Sequence, residues 1–424
     1  MKVLLVSTYE MGHQPLHVAI PAAALREAGH EVRAVDLSVQ AWEPSEVAWA
    51  DAVAFSVPMH TAMRIALQAA ATVAKPTCFY GLYAMTGPPG ARLISGEYVE
   101  GLVRWADDLA PGATTTLDRA PAPTPDRTVL PALDRYARLQ TPEGEVPAGY
   151  VEATRGCSHR CRHCPVPVVY DGRTRRVSVD TVLADVEAQV RAGARHITFG
   201  DPDFLNRSRH AMAVVDAVHD AFPHLTYDVT AKVDHLLRHA DLLPRLSATG
   251  CLFVVSAFES MDDRVLRILD KGHTAADSGR VVHLLRSHGI EVRPSWLPFT
   301  PWTTVRTVSD ILRFVVDHDL VGNVDPVQYS IRLLVPPGSL LLDVAEMKQR
   351  LGPYDPQALT YTWTAEDPHA DELQGAIAGL VADTARHPLD QFFDIWEAVH
   401  GPGAPQIEVG STEGRPRLTE PWFC

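Results

Sequence analysis

Short apolar runs that alternate with helical segments fill most of this 424-residue chain, and this alternation restricts it to folds built on parallel sheets. In residues 1–110 the runs KVLLVS (Lys2–Ser7), DAVAFSV (Asp51–Val57) and TCFY (Thr77–Tyr80) indicate strands, and GEYVEGLVRWADDL (Gly96–Leu109) indicates a helix. Strands and helices in this order form an open parallel sheet with helices on both faces. We therefore expect an α/β fold class that begins with an open, doubly wound parallel sheet.

Three further regions follow this domain. Residues 111–145 begin with a stretch rich in Pro, Thr and Ala, which is typical of a linker. Residues 146–340 contain six longer strand–helix repeats, which predict a partial (β/α)6 barrel rather than a flat sheet. Residues 341–424 are predicted to form a mainly helical carboxyl-terminal extension, and the printed sequence finishes with LTEPWFC.

Composition excludes several classes of function. The net charge of −14 argues against a general nucleic-acid-binding surface. No apolar run reaches the roughly 18 residues that a membrane span needs, and MKVLLVSTYE lacks the pattern of a secretory signal. We expect a cytoplasmic protein that binds neither nucleic acid nor membrane.

Three of the six cysteines lie in RGCSHRCRHCPVP, where Cys157, Cys161 and Cys164 follow a C-x3-C-x2-C spacing. Three thiolates on one loop can hold three irons of a [4Fe–4S] cluster and leave the fourth iron open to a chelating substrate. A structural zinc site is the alternative. Zinc would need a fourth ligand, from Cys251, Cys424 or a distant histidine.

The spacing resembles the radical S-adenosylmethionine (SAM) superfamily, in which the open iron of the cluster binds SAM. TFGDPDF resembles the family segment that binds the SAM amino group, which implies this role for Gly200, Asp201 and Pro202. SAFESMDDRVLRILDKGHT resembles the ribose-binding segment, which implies that Glu259 accepts hydrogen bonds from the ribose hydroxyls. His163 stands where relatives carry a Phe or Tyr before the third cysteine.

An open α/β domain ahead of such a barrel resembles the cobalamin-binding class of this superfamily. SGEYVEGLVRW (Ser95–Trp105) is similar to the segment that closes the domain in that class. The D-x-H-x-x-G motif that supplies a histidine to cobalt is absent, and the chain reads STYEMGHQP instead. The sequence therefore leaves open cobalamin binding and a domain that binds substrate or nothing. Met59, His60 and Tyr83 follow strands and are expected to line its pocket.

Several stretches, among them SVPMHTAMR, LTYDVTAKVDHLL and LTEPWFC, identify the chain as similar to a narrower radical SAM group with a carboxyl-terminal Cys-Cys-Ala-Glu-Pro or Cys-selenocysteine-Ala-Glu-Pro tail. A selenocysteine codon is read as a stop by routine translation. The resemblance therefore implies a selenoprotein in which Cys424 precedes a Sec-Ala-Glu-Pro tail, with genuine termination as the alternative. A thiol–selenol pair would be a soft, low-pKa group that handles substrate or redox chemistry, so Cys424 is a candidate catalytic residue.

The resemblance implies an enzyme that cleaves SAM reductively with a [4Fe–4S] cluster and modifies an unidentified small-molecule substrate. With cobalamin it would be a methyltransferase or a rearranging enzyme, and without it a 5′-deoxyadenosyl or aminocarboxypropyl radical would act directly. A non-catalytic iron–sulfur or zinc module that senses redox state is the alternative. A flavodoxin or ferredoxin is the expected electron donor, docking on the arginines near the cluster, namely Arg155, Arg160, Arg162, Arg173, Arg175 and Arg176.

Overall fold

The computed structural model describes residues 1–119 and 121–420, which form two large sheets whose loops face each other and two small two-stranded sheets. The amino-terminal sheet and its helices comprise β1 (Lys2–Ser7), α1 (Leu16–Glu27), β2 (Glu31–Asp36), α2 (Pro44–Trp49), β3 (Ala52–Ser56), α3 (His60–Ala70), β4 (Thr77–Tyr80), β5 (Arg92–Gly96), α4 (Val99–Asp108) and β6 (Gly112–Thr116).

All six strands of this sheet are parallel, in the order β2-β1-β3-β4-β5-β6. Side chains of β1 alternate between its two faces, as a parallel strand requires. Val3 and Leu5 belong to the apolar core under α1 and α4, whereas Leu4 and Val6 belong to the core under α3. The predicted open, doubly wound sheet is therefore confirmed.

The second sheet and its helices follow. They comprise β7 (Arg138–Thr141), β8 (Gly144–Val151), β9 (Thr154–Gly156), α5 (Val166–Tyr170), β10 (Thr174–Arg176), α6 (Val179–Arg191), β11 (His196–Phe199), α7 (Ser208–Ala221), β12 (Thr226–Thr230), α8 (Val233–Arg238), α9 (Leu243–Ala248), β13 (Cys251–Glu259), α10 (Asp263–Ile268), α11 (Ala275–Ser287), β14 (Glu291–Trp296) and α12 (Val305–Asp317).

Five strands of this sheet, β8, β11, β12, β13 and β14, are mutually parallel and form a curled half-barrel. Two antiparallel strands extend its other edge, because β7 pairs with β8 and the late strand Arg417–Leu418 pairs with β7. The interval 111–145, predicted as a linker, thus contains β6 of the first sheet and β7 of the second. Turn-forming residues between these strands concealed them in the sequence.

The sixth barrel strand predicted at VQYSIRLLV is wrong as a full strand. Pro326 begins a 3-10 turn over Pro326–Ser330, and only the bridge between Phe299 and Arg332 pairs in parallel. Trp296 N, on β14, donates a hydrogen bond to the side-chain oxygen of Gln328. In a regular sheet, a backbone carbonyl of the neighbouring strand would accept this bond. A proline cannot donate to a ladder, so this segment closes the barrel through side chains instead.

The carboxyl-terminal region is partly helical, with α13 (Ala345–Lys348), α14 (Pro368–Val381) and α15 (Pro388–His400) packed against the barrel core. It also contains a hairpin, which the sequence did not indicate, formed by β15 (Leu351–Asp355) and β16 (Thr360–Trp363). The chain then returns to the edge of the barrel as β17 (Arg417–Leu418). No helix in the described part of the chain is long and apolar enough to cross a membrane.

Candidate active site

The three clustered cysteines lie on the loop between β9 and α5, above the carboxyl ends of the barrel strands. Gly156 makes the turn into this loop at φ 72°, where an added Cβ would lie 2.4 Å from the Arg173 carbonyl oxygen. Arg162 N donates to the Leu269 carbonyl at 2.9 Å. Asn206 Nδ2 donates to Cys157 Sγ at 3.5 Å. Backbone turns and the Asn206 side chain therefore hold the loop in place.

The three thiols are spaced for a polynuclear group rather than for a single ion. Burial raises the pKa of Cys164 to about 12, and the neighbouring Cys161 and Cys157 thiols raise it further. Their sulfur atoms are nevertheless not all within 4.8 Å of one another, the limit for a one-ion site that another group of described residues meets. Ligand sulfurs of a single zinc ion would lie about 4 Å apart. The thiols therefore do not form a single-ion site, and as a set of three on one loop they match the ligand number of a [4Fe–4S] cluster with one open iron, in which each cysteine binds a different iron.

Zinc coordination through a fourth cysteine finds no support in the described part of the chain. Cys251 begins β13, at the amino end of a barrel strand, and its Sγ points to the Phe253 carbonyl at 3.6 Å. The cluster loop lies at the opposite end of the barrel. Cys424, the other cysteine considered, lies outside the described residues.

Glu259 ends β13, where a bulge in the pairing with β14 and a left-handed backbone (φ 63°) redirect the chain. Bulges of this kind re-aim side chains beside functional sites. Oε1 of Glu259 accepts hydrogen bonds from His163 Nε2 and Lys271 Nζ, both at 3.0 Å. Oε2 has no hydrogen-bond partner among the described residues, and Glu259 lines a cavity of about 370 Å³. One carboxylate oxygen is therefore available to a ligand.

The charge of Glu259 is fixed by its neighbours. Burial alone would raise the pKa of this carboxyl, but the Lys271 ammonium and the His163 ring outweigh burial and hold the pKa well below its usual range. Lys271 is also close enough to Cys161 and Cys164 for their thiols to raise its own pKa, against the effect of its burial. An ammonium group between a carboxylate and two cluster thiols links the cysteine loop to the Glu259 strand. The sequence analysis gave Lys271 no such role.

The three residues predicted to bind the SAM amino group follow β11. Gly200 is a site where no side chain fits, because an added Cβ would lie 1.9 Å from Tyr150 Oη. Gly200 and Pro202 line the cavities on both sides of this point. Asp201 is 1% exposed, and its carboxylate accepts hydrogen bonds from Ala153 N and Thr154 Oγ1. The backbone at Gly200 therefore faces the cleft, whereas the Asp201 side chain braces the strand that leads to the cysteines.

Burial raises the pKa of Asp201 to about 7, although its hydrogen bonds from Thr154 and Ala153 lower it. Both carboxylate oxygens of Asp201 already accept hydrogen bonds from the strand, so this side chain anchors the loop. The prediction that Asp201 helps to hold the SAM amino group stays a prediction.

The cavity beside Glu259 is a shared pocket between the two halves of the chain. Its volume of about 370 Å³ suits a ligand of the size of SAM. His163, Cys164 and Trp296 line it from the barrel side. The residues expected to line a pocket of the amino-terminal domain close its other side, namely Met59, His60 and Tyr83.

A second cavity, of about 360 Å³, occupies the inside of the half-barrel and adjoins the first at Cys164 and Pro165. Apolar and charged side chains both line it. Its charged and polar members include Asp228, Arg293, Asp325, His13 and Glu420.

The tail reaches the rim of this cavity. Thr419 N donates to the Arg138 carbonyl at 2.8 Å, and Tyr9 Oη donates to Glu420 Oε1 at 3.1 Å. Leu418 and Glu420 are lining residues.

Two carboxyl groups and an arginine are buried where the two sheets meet. Arg155 pairs with Glu97 of the amino-terminal domain at 2.8 Å and with Glu152 at 3.3 Å. Burial raises the pKa of Glu152 to about 7, although Arg155 lowers it, and burial raises the pKa of Glu10 to about 7 as well. Arg155 therefore belongs to the interior contact between the domains, and its predicted place on a docking face is wrong.

Residues 151–314 match the family described as Radical SAM superfamily. Residues 151–314 therefore form a radical SAM domain.

Among curated relatives, a tRNA-2-methylthio-N(6)-dimethylallyladenosine synthase from Methylococcus capsulatus is 28% identical over 179 residues, which cover 39% of this chain and 37% of that protein. A hopanoid C-3 methylase from the same organism is 22% identical over 330 residues, which cover 69% of this chain and 62% of that protein. The chain spans about a third to two thirds of the length of these relatives.

Two solved structures share the arrangement of both domains. The cobalamin-dependent SAM radical enzyme OxsB, with aqua-cobalamin and SAM bound, superposes with a TM-score of 0.70 at 14% identity over 90% of this chain and 66% of that chain. The radical SAM methyltransferase TsrM from Kitasatospora setae, with cobalamin and a [4Fe–4S] cluster bound, gives 0.57 at 18% identity over 75% and 73%. At these identities the likeness shows a common fold, an open α/β sheet followed by a curled half-barrel.

Proposed function

We propose that this protein is a radical SAM enzyme that cleaves SAM reductively and modifies a small molecule held inside the half-barrel. The observation that carries the proposal is the meeting of Cys164, the third cysteine of the loop, with Glu259 and its one unpaired oxygen at a cavity of SAM size. The radical SAM domain over residues 151–314 supports it. In this proposal Cys157, Cys161 and Cys164 bind three irons of a [4Fe–4S] cluster.

Each remaining residue of the site has a task that follows from its contacts. Oε2 of Glu259 accepts hydrogen bonds from the ribose hydroxyls, while Oε1 stays bound to His163 and Lys271. Gly200 lets the strand end approach the ligand, because Tyr150 fills the space behind it. When bound, the reduced cluster supplies the electron that breaks a C–S bond of SAM.

The inside of the barrel is the proposed substrate site. Its cavity adjoins the SAM pocket at Cys164 and Pro165, so a molecule held in one lies beside a molecule held in the other. Arg293 and Asp228 supply opposite charges within a lining that mixes apolar and polar side chains. These features suit a small polar substrate.

Cys424 is proposed to act at this substrate cavity. Leu418 and Glu420 already line it, and β17 fixes the direction from which the chain approaches. Four residues span at most about 14 Å, so Cys424 can reach the cavity from Glu420. The selenocysteine tail inferred from the sequence would extend the same segment. Mass spectrometry of the protein purified from its native cells tests that tail.

Cobalamin is a second proposed cofactor, favoured by the fold shared with OxsB and TsrM. The cleft wall in the amino-terminal domain presents Met11, Met59 and Leu82, which suit the face of a corrin ring. His17 and His60 are both occupied, His17 Nδ1 by Tyr98 Oη and His60 Nε2 by a backbone carbonyl, each at 2.7 Å. Each ring keeps a second nitrogen, so the apolar wall, and not the state of these histidines, is what supports a cobalamin here. When bound, it would supply a methyl group for transfer.

The amino-terminal part of this cleft is small. Its volume of about 160 Å³ lies below the range of roughly 300–1,000 Å³ for pockets that hold drug-sized ligands. We therefore expect cobalamin binding to move its two walls apart. Titration with hydroxocobalamin, followed by its absorbance and by small-angle scattering, tests this expectation.

A flavodoxin or ferredoxin is the proposed electron donor. Arg160, Arg173 and Arg176 are exposed beside the cluster loop, whereas Arg162 and Arg175 donate to backbone carbonyls. The exposed arginines would attract an acidic partner in a salt-dependent way. A reduction rate that does not change with ionic strength would contradict this docking.

Anaerobic reconstitution with iron and sulfide, followed by dithionite and SAM, tests the proposed activity. The products 5′-deoxyadenosine, methylthioadenosine and S-adenosylhomocysteine distinguish the types of radical SAM enzyme. A reduced, cluster-loaded protein that leaves SAM intact would instead support the redox-sensing alternative.

A further inference from the structure

Three side chains from three separate elements meet beside the cysteine loop. His159 lies on the loop between Cys157 and Cys161, Asp203 follows β11, and His235 lies on α8. Each offers one metal-ligating atom, and these three atoms lie within 4.8 Å of one another. Within residues 1–119 and 121–420, no other group of three His, Cys, Asp or Glu side chains meets this criterion. The geometry points to a second metal site, which binds one divalent first-row ion such as Zn²⁺ through His159, Asp203 and His235.

The distances suit one ion. His159 Nε2 is 3.1 Å from His235 Nε2 and 3.5 Å from Asp203 Oδ2. Asp203 Oδ2 is 2.8 Å from His235 Nδ1. Nitrogen and oxygen atoms bound to one zinc ion at roughly 2.0–2.2 Å lie about 2.9–3.5 Å apart. His235 is thus spaced for a shared ion with His159 through Nε2 and with Asp203 through Nδ1, and a small rotation of its ring would bring one nitrogen to both.

Two buried atoms in this group have no hydrogen-bond partner. Oδ1 of Asp203 accepts from Leu205 N at 3.1 Å, but Oδ2 accepts from none of the described groups. Nδ1 of His235 is also unpartnered, since its short contact with Asp203 is not aligned for a hydrogen bond. The Asp203 side chain is 0% exposed and that of His235 is 6% exposed. A cation between them would satisfy both atoms, which buried polar groups otherwise rarely leave unsatisfied.

The ligand chemistry is that of a nitrogen- and oxygen-binding ion. Two imidazoles and a carboxylate suit zinc and ferrous iron, whereas the cysteine loop offers only sulfur. The site also differs from the cluster in its geometry, because its ligand atoms are close together and the three sulfurs are not. The His159 side chain is 19% exposed, which leaves a path for the ion and for a completing water.

Lys232 competes with the ion in the structure. Its Nζ lies 3.0 Å from Nδ1 of His159 and 3.4 Å from Asp234 Oδ1. A lysine ammonium has donors only, so this contact occupies the lone pair of Nδ1 and leaves the proton of a neutral ring on Nε2. An ion can bind Nε2 only when the ring proton moves to Nδ1. The contact between Lys232 Nζ and Nδ1 of His159 must then break, while the contact of Lys232 with Asp234 can remain. Removal of the Lys232 ammonium should strengthen metal binding.

The ion would tie the cysteine loop to two barrel elements. His159 moves with Cys157 and Cys161, while Asp203 and His235 belong to the ends of the β11 and β12 repeats. A metal that joins all three restrains the loop whether or not the cluster turns over SAM. Failure of SAM cleavage would consequently leave this inference intact, and absence of the metal would leave the proposed activity intact.

Zinc binding to the full-length, cluster-loaded protein tests the inference. The protein is incubated anaerobically with Zn²⁺, desalted, and analysed for zinc and iron and by X-ray absorption at the zinc edge. We expect one zinc per chain with only nitrogen and oxygen ligands. His235→Ala and Asp203→Asn should lose it and keep their iron, and Lys232→Met should bind zinc at least several-fold more tightly.

His239→Ala is the matched control, because His239 lies on the chain just after α8 with its ring 5.8 Å from that of His235. It should retain zinc. Sulfur in the zinc shell would overturn the inference, since the ion would then sit on the cysteines. Equal zinc in the wild type and His235→Ala would also overturn it. A third result would overturn it: neither the wild type nor the Lys232→Met variant binds zinc. The three side chains would then form only a hydrogen-bond network. Iron content and thermal unfolding show that each variant is folded.

Discussion

Replacement of Glu259 by glutamine separates the two tasks that the structure gives to this carboxylate. Glu259 is 7% exposed and Lys271 is 3% exposed, so the two charges are paired in the interior. Removal of one partner from a buried pair costs about 3–5 kcal/mol, because the other charge stays buried without compensation. We therefore expect Glu259→Gln to lower the free energy of unfolding of the cluster-free chain by about this amount.

The same substitution should weaken SAM binding. A hydrogen bond to a charged group contributes about 1.5–3 kcal/mol, which corresponds to roughly a 10- to 100-fold increase in the Kd of SAM. The double variant Glu259→Gln, Lys271→Met removes both charges and should recover most of the stability. It should not recover SAM affinity, because the anionic oxygen that faces the cavity is still missing.

Denaturant unfolding of the cluster-free chain measures the first effect, and anaerobic calorimetry with the cluster-loaded protein measures the second. Wild-type stability together with wild-type SAM affinity in Glu259→Gln would refute the reasoning. A double variant as unstable as the single one would refute the pairing with Lys271 alone.

Three further substitutions or conditions test other parts of the site. Gly200→Ala would place a Cβ 1.9 Å from Tyr150 Oη, so we expect a loss of about 1–3 kcal/mol in unfolding free energy and weaker SAM binding; recovery of stability by an added Tyr150→Ala would confirm the clash as the cause, and full stability of the single variant would contradict it. Burial raises the pKa of Glu10 and of Glu152 to about 7, from about 4.5, so both groups bind protons more tightly in the folded chain. The stability from each is complete below about pH 4.5 and is lost as the pH rises through 7, by up to about 3 kcal/mol per group; denaturant midpoints at about pH 4.5 and pH 8 measure this, and Glu152→Gln should flatten the profile. Cys164→Ala should abolish the cluster absorbance near 400 nm while the unfolding transition of the cluster-free chain persists, and a cluster retained at full iron content would contradict its role as a ligand.

The sequence predicted the fold where periodicity and local chemistry agree. Apolar runs such as Lys2–Ser7 became buried parallel strands, because every side chain of such a strand meets a helix-covered face. The strand at Arg92–Gly96 was missed because its ends are polar. The sixth barrel strand was predicted from its apolar residues, but Pro326 and the side chain of Gln328 replaced backbone pairing there.

The candidate site was predicted in part. Motif residues can be recognised from their spacing in the sequence, whereas the residues that contact and position them cannot. Cys157 and Glu259 stand in recognisable spacings. Nothing in the spacing of Lys271 shows that it lies between Glu259 and the thiols, since that contact depends on how a barrel strand bends. Arg155 shows the reverse case: a basic residue beside the cluster suggested a docking surface, and tertiary pairing with Glu97 buried it.

Distant residues that meet only in the fold also escaped sequence reasoning. Asp203 and His235 are 32 positions apart, and His159 lies 44 positions before Asp203. Each alone has an ordinary interpretation as a cap or a helix residue. Their meeting point depends on the curl of the half-barrel, which no local pattern encodes.

The most direct test of the central claim is SAM turnover by the anaerobically reconstituted protein with dithionite as reductant. The account predicts about four irons and four sulfides per chain, consumption of SAM with release of a C–S cleavage product, and loss of both in a variant with Cys157, Cys161 and Cys164 replaced by alanine. A reduced protein with a complete cluster that leaves SAM unchanged would contradict it.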